Sequence, residues 1–147
     1  HFKVSPRLRF ILLIPSFEVA TIEARRLLPA DILRTNAVRN TANVAAIAAA
    51  FATGDYKTLR GCFVDYLHQP FRKKLVPFLD RVTTAAVRAG ALGAFLSGSG
   101  SAICALALDD SKKIAAAMLR ASRLSQAQTV ITRADNRGVR ICKSAIA

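Results

Sequence analysis

Acidic residues are scarce in this chain: 9 Asp and Glu stand against 22 Lys and Arg, a net charge of +13 over 147 residues. So one-sided a balance usually marks a polyanion-binding protein, but its distribution argues against that. The only basic runs are Arg25-Arg26, Arg72-Lys73-Lys74 and Lys112-Lys113, and the other cations are scattered among helix-like segments. Aromatic side chains make up 7% of the sequence, too few beside those cations to form the stacking platforms of nucleic-acid modules. Solvated faces account for the charge, and nucleic-acid binding is expected to be weak, non-specific and salt-sensitive.

Cysteine is equally sparse. Cys62, Cys104 and Cys142 are odd in number, far apart and without CxxC spacing, which excludes a disulfide framework and a zinc site and points to a reducing, cytoplasmic compartment. Of the two histidines, His1 is terminal and His68 lacks a Ser, Cys or Asp arrangement that would make it a general base. No HxH or HxxxH pair offers a metal ligand set. Asp65 reads as a salt-bridge partner, the commoner fate of a helix carboxylate.

Charge is missing altogether from Ala89 to Leu108, AGALGAFLSGSGSAICALAL. A run of about 20 apolar residues is long enough to span a bilayer. Here Ser97-Gly98-Ser99-Gly100-Ser101 stands where the hydrocarbon midplane would be, which excludes a spanning helix. Two buried strands fit instead, Ala91–Leu96 and Ala102–Leu108, joined by a loop whose glycines permit positive φ. That loop is either a plain hairpin turn or a place where backbone approaches a phosphate or carboxylate. No Gly-Lys-Ser/Thr follows it, so it is not a Walker loop. The apolar start, Leu8 to Ile14, is short and stopped by Pro15 with Glu18 and Glu23 soon after, so it reads as a strand and not as a signal peptide.

In chain order, Thr21 is placed to cap a short helix through Leu28, and Asn36 to cap a long one to about Thr53 that stops at Gly54. Val38, Ala42, Ala45, Ala49 and Ala52 share one face of the long helix, and their small size implies close helix packing. Asp55 is placed to cap a helix through Leu67, broken by His68-Gln69-Pro70. A helix from about Phe78 to Ala89 ends at Gly90, and another runs from Asp110 or Ser111 to Ser122. Gln128–Arg133 and Val139–Cys142 read as closing strands around the turn Asp135-Asn136-Arg137-Gly138. The elements mix without βαβ regularity, which implies one α+β domain with an antiparallel sheet. Arg25 and Arg72 lie near probable helix ends, where their guanidinium forks could hold a carboxylate or phosphate; spacing alone favours surface arginines, the commoner case with so many scattered cations.

Four stretches carry a resemblance: Thr21-Ile22-Glu23-Ala24-Arg25 with Leu28-Pro29, the segment Asp65-Tyr66-Leu67-His68-Gln69-Pro70-Phe71-Arg72, Gly90-Ala91-Leu92, and Leu96-Ser97-Gly98-Ser99-Gly100-Ser101. In this order the chain resembles the C-terminal half of the homoserine kinases, within the superfamily of galacto-, homoserine, mevalonate and phosphomevalonate (GHMP) kinases. The resemblance implies a ferredoxin-like antiparallel sheet of about four strands packed against helices. It implies that residues 1–147 form the substrate-side domain, and that the N-terminal ATP-binding domain lies outside the chain. It further implies ATP-dependent phosphorylation of the L-homoserine hydroxyl in threonine biosynthesis, with magnesium accompanying the nucleotide. Arg25 and Arg72 then hold the substrate carboxylate, and Ser97, Gly98, Ser99 and Gly100 support the phosphate loop.

Two departures stand out. Ser101 occupies a position where the family usually has proline, and nothing matches the PxxxGLGSSAA-type phosphate loop, so this piece alone is expected not to catalyse. The catalytic residues are unassigned and no metal ligand is expected. The partners implied are L-homoserine and ATP, with no specific nucleic acid and no membrane; a homodimer is allowed. A non-catalytic small-molecule-binding or regulatory domain, or another GHMP small-molecule kinase, stays open, since fold does not fix function.

Overall fold

The run RFILLI alternates its large side chains across a strand, and in this chain both faces of that strand are covered. The computed structural model describes residues 2–139. Four strands, β1 (Arg9–Ile14), β2 (Gly93–Leu96), β3 (Ile103–Ala107) and β4 (Gln128–Thr132), form one antiparallel sheet in the order β2-β3-β1-β4. β1 lies near the middle, with Ile11 opposite Ala105 of β3 on one side and opposite Ile131 of β4 on the other.

Alternation along the strands divides the core in two. Ile11, Leu13, Leu96, Ile103 and Ala105 face helices α4 (Leu79–Arg88) and α5 (Ser111–Ser122), where Val82, Ala86, Ile114 and Met118 complete the first cluster. On the other face, Cys104 and Leu106 meet Ala50, Tyr56 and Leu59, with Phe10, Leu12, Phe63 and Phe95 packed around them. Every residue of β3 is therefore buried, and its ICALA sequence supplies side chains small enough for contact on both faces. Cys104 belongs to this second cluster, and burial pushes its thiol up to about 11, so it is protonated at neutral pH.

The other helices are α1 (Thr21–Arg26), α2 (Arg34–Thr53) and α3 (Gln69–Arg72), with a 3-10 turn over Tyr56–Leu59. Among the described residues no helix is long and apolar enough to cross a membrane.

Several local expectations are corrected. Thr21 does not cap α1, whose N-cap is Ala20, and Asn36 lies inside α2, whose N-cap is Leu33. The small-residue stripe Val38, Ala42, Ala45, Ala49 and Ala52 faces solvent, while Ile47, Ala50 and Phe51 on the opposite side of α2 meet the sheet. Asp55 caps only the 3-10 turn, accepting the Lys57 N–H at 3.2 Å, and Gly61 at φ 82° turns the chain away before a longer helix can form. His68-Gln69-Pro70 starts α3 instead of breaking a helix, because proline is tolerated in a first turn. The stop of α2 at Gly54 (φ 74°), the boundaries of α4 and α5, and strands β1 to β4 agree with expectation to within two residues. Of the expected strand Val139–Cys142, Val139 is outside any strand and the remainder lies outside the described residues.

At Gly93 a Cβ would lie 2.0 Å from Cδ2 of Phe63, whose ring stacks on Phe95 with centroids 5.0 Å apart. Gly93→Ala is therefore expected to lower the unfolding free energy by about 1–3 kcal/mol through overpacking, read from a denaturant midpoint. Phe63→Leu in the same chain should restore part of the loss. An unchanged midpoint in the single variant would show that the ring moves freely.

Candidate functional site

The loop Ser97–Ser101 is the hairpin connection between β2 and β3. The Ser97 N–H donates to the Ala102 carbonyl at 2.8 Å and the Gly100 N–H to the Ser97 carbonyl at 3.1 Å, with Gly98 at φ 61° and Gly100 at φ 101°. Its φ makes glycine the fitting residue at position 100, where an added Cβ would also press on Val76 at 3.3 Å.

Three distant segments converge on this hairpin. From α3, Arg72 Nη1 donates to the Gly98 carbonyl at 2.9 Å, and Gln69 Oε1 accepts the Leu96 N–H at 2.7 Å. From the start of α1, Thr21 Oγ1 lies 3.4 Å from Ser99 Oγ. The Ser101 hydroxyl donates to the Phe17 carbonyl in the connection between β1 and α1. Pro70 starts α3 and fixes its first turn, which puts Gln69 and Arg72 three residues apart on one side of a short helix.

What aims α3 is Asp65. Its carboxylate accepts the N–H groups of Leu67 at 2.9 Å and His68 at 3.0 Å, and that of Gln69 as well. His68 Nδ1 stands 3.4 Å from the same carboxylate, outside hydrogen-bond geometry and with no hydrogen-bond partner. Only 12% of the Asp65 side chain is exposed, so these bonds are shielded from competing water. α2 holds the preceding residues: Asn43 donates to the Val64 carbonyl at 2.7 Å, Asn40 accepts the Tyr66 N–H at 3.1 Å, and the Arg39 guanidinium lies 5.9 Å above the Tyr66 ring.

Of the expected site residues, Arg72 and the loop Ser97–Gly100 are brought into direct contact. Arg25 sits one turn after Thr21 on α1, exposed, with its side chain free of any hydrogen bond or ion pair among the described residues. Arg72 Nε is buried and has no hydrogen-bond partner among the described residues, while its Nη1 is taken by Gly98. That buried donor costs about 1–3 kcal/mol unless an acceptor such as a carboxylate reaches it. Gln69 and Asp65 are the residues that sequence reasoning missed or read as an ordinary ion pair. Their only signal was membership of the segment Asp65–Arg72. A cavity of about 650 Å3 opens beside the segment, between Asp65, Gln69, Lys73 and the outer face of α4; neither Arg25, Arg72 nor the loop lines it.

Residues 47–124 match the family model described as GHMP kinases C terminal. The homoserine kinase of Aquifex aeolicus is 40% identical over 137 residues, which are 91% of this chain and 46% of that protein. That of Caldicellulosiruptor saccharolyticus is 38% identical over 146 residues, 95% of this chain and 47% of that protein. The crystal structure of homoserine kinase from Cytophaga hutchinsonii superposes with a TM-score of 0.80 at 32% identity, covering 89% of this chain and 42% of that one. The chain thus spans just under half the length of these relatives.

Asp65→Ala removes an acceptor shared by three backbone N–H groups. It is expected to lower the unfolding free energy by about 1–3 kcal/mol and to speed hydrogen exchange at Leu67, His68 and Gln69. Unchanged exchange at those three amides would show that the carboxylate does not hold the start of α3.

Proposed function

The chain belongs to the GHMP kinase C-terminal family, and from that premise we propose that it is the substrate-side half of a homoserine kinase, transferring the γ-phosphoryl group of ATP to the hydroxyl of L-homoserine in threonine biosynthesis. The observation that carries this reading is the buried Nε of Arg72 beside the glycine loop, without a hydrogen-bond partner among the described residues. A carboxylate there completes the hydrogen bonding of a guanidinium already anchored through its other end.

Arg25 and Arg72 act as carboxylate holders. A guanidinium fork orients the amino acid as well as binding it, so its side-chain hydroxyl is fixed in line with the γ-phosphorus. The hydroxyl oxygen forms the new P–O bond, the bond to the β,γ-bridging oxygen breaks, ADP leaves, and the hydroxyl proton is lost to the surroundings. Ser97 to Gly100 lie at the phosphate end, their glycines allowing close approach of the phosphate loop. That loop and the bulk of the nucleotide site belong to an ATP-binding half outside this chain, as its span relative to the homologues suggests. Magnesium travels with the nucleotide; among the described residues no cluster of three or more His, Cys, Asp or Glu offers it a ligand set. A cytoplasmic location fits a soluble amino-acid substrate and ATP.

Phosphoryl transfer depends on positioning and on neutralising phosphate charge, and this chain alone lacks the phosphate cradle. The isolated chain is expected to show no homoserine-dependent ADP release in a coupled assay. In the polypeptide that includes the ATP-binding half, Arg25→Lys keeps the charge and loses the fork. Its kcat/KM for homoserine should fall by an amount corresponding to about 1.5–3 kcal/mol, with KM for ATP and Tm unchanged. Arg72→Lys should do the same and also lower Tm, because it gives up the bond to Gly98. Wild-type kinetics in both variants would return these arginines to the solvated surface.

A further inference from the structure

A second concentration of chemistry lies on the outer side of the helical layer. α4 and α5 pack against each other, and along their contact opens a groove of about 800 Å3. It shares no residue with the segment Asp65–Arg72 or the loop Ser97–Ser101. Alanines, Ala85 and Ala117 among them, make its floor, and four guanidinium groups stand around it: Arg81, Arg88, Arg120 and Arg123.

The charges at this groove are poorly balanced. Asp80 is the single carboxylate in the lining, and it is paired with Lys73 at 3.3 Å. Arg81 is committed to structure, donating through Nε to the Ala121 carbonyl and through Nη2 to the Ser122 carbonyl, each at 3.3 Å, where it satisfies the end of α5. Arg88, Arg120 and Arg123 are exposed, and their side chains have no hydrogen bond or ion pair among the described residues. Arg88 and Arg120 sit in last helical turns, where the dipole favours a cation by about 0.3–1 kcal/mol each. That effect explains a cation at each helix end but not why three of them line one groove, Arg120 and Arg123 at the end where Arg81 meets α5 and Arg88 toward the other end of α4. Arg123 is held at φ 56°, a conformation that glycine adopts more readily.

We propose that the α4–α5 groove binds a compact anion bearing two or more phosphate groups, held by Arg88, Arg120 and Arg123 through charge-assisted hydrogen bonds. The groove is short, since α4 has 10 residues and spans about 15 Å. It has no aromatic lining on which bases could stack. These features fit an oligophosphate, free or as the tail of a nucleotide, better than a nucleic-acid duplex. The inference does not depend on the kinase reading.

Tripolyphosphate titrated calorimetrically into the chain at about 0.15 M salt should bind saturably at one site. Arg88→Glu with Arg123→Glu should weaken that binding about tenfold or more. Lys3→Glu with Lys57→Glu changes net charge equally on the opposite side of the sheet and should leave it within about twofold. Arg88→Gln with Arg123→Gly, which relieves the positive φ, gives the same comparison should the charge reversals fail to fold. A nucleoside triphosphate that binds about as tightly as tripolyphosphate marks the phosphate tail as the recognised part. Absence of saturable binding, equal losses from both pairs of substitutions, or displacement of tripolyphosphate by a tighter-binding duplex oligonucleotide would each overturn the proposal.

Discussion

A buried backbone N–H must find an acceptor, and in this chain that requirement decides where residues 65–72 go. Asp65 collects the N–H groups of Leu67, His68 and Gln69 on one carboxylate, which turns an otherwise irregular stretch into the rigid start of α3. Gln69 and Arg72 then reach the hairpin from a fixed origin, one binding the amide of Leu96 and the other the carbonyl of Gly98. Hydrogen bonds to a charged acceptor are stronger than neutral ones, so the bracket from Asp65 to Gly98 is held in one direction by polar contacts. The apolar support comes from behind, where Val76 and Leu96 limit the room around Gly100.

Placing the arginine proposed to hold the carboxylate on such a bracket has a functional logic. A guanidinium with one end tied to backbone presents its other edge in a known direction, and in a positional reaction such as phosphoryl transfer an error of a fraction of an ångström costs rate. Arg25 is placed differently. It rides on α1, whose first residue touches the same hairpin through Ser99, but its own side chain is unrestrained in this half of the fold. In the proposed reaction Arg72 therefore contributes a preformed direction, whereas Arg25 is ordered by the ligand it meets.

The solvent-facing side of α2 and the α4–α5 groove are two contrasting surfaces. α2 carries no charge from Asn40 to Thr53 and still leaves Val38 and Val44 63% and 58% exposed, the character of a helix with apolar residues all round. The opposite layer instead gathers arginines that are 42 residues apart at the extremes, from Arg81 to Arg123. The excess positive charge is thus not spread evenly over a solvated shell, as the linear distribution suggested; part of it is concentrated by helix packing.

The chain's composition and local pattern determined the strands, the α+β class, the helix stops at Gly54 and Gly90 and the hairpin at Ser97–Ser101, because hydrophobic alternation and glycine's freedom at positive φ act over a few residues. The motif segments around Arg25, Arg72 and the glycine loop were legible for the same reason. Only tertiary structure decided that Asp65 caps α3, that the packed face of α2 is Ile47 and Phe51 and not its small-residue stripe, that Arg72 spends one nitrogen on Gly98, and that four arginines share a groove. Each of these depends on which segment folds back onto which. Hydrogen bonds and charge fields are satisfied by whatever group arrives in space, 26 residues away for Arg72 and Gly98, and no local periodicity encodes that arrival.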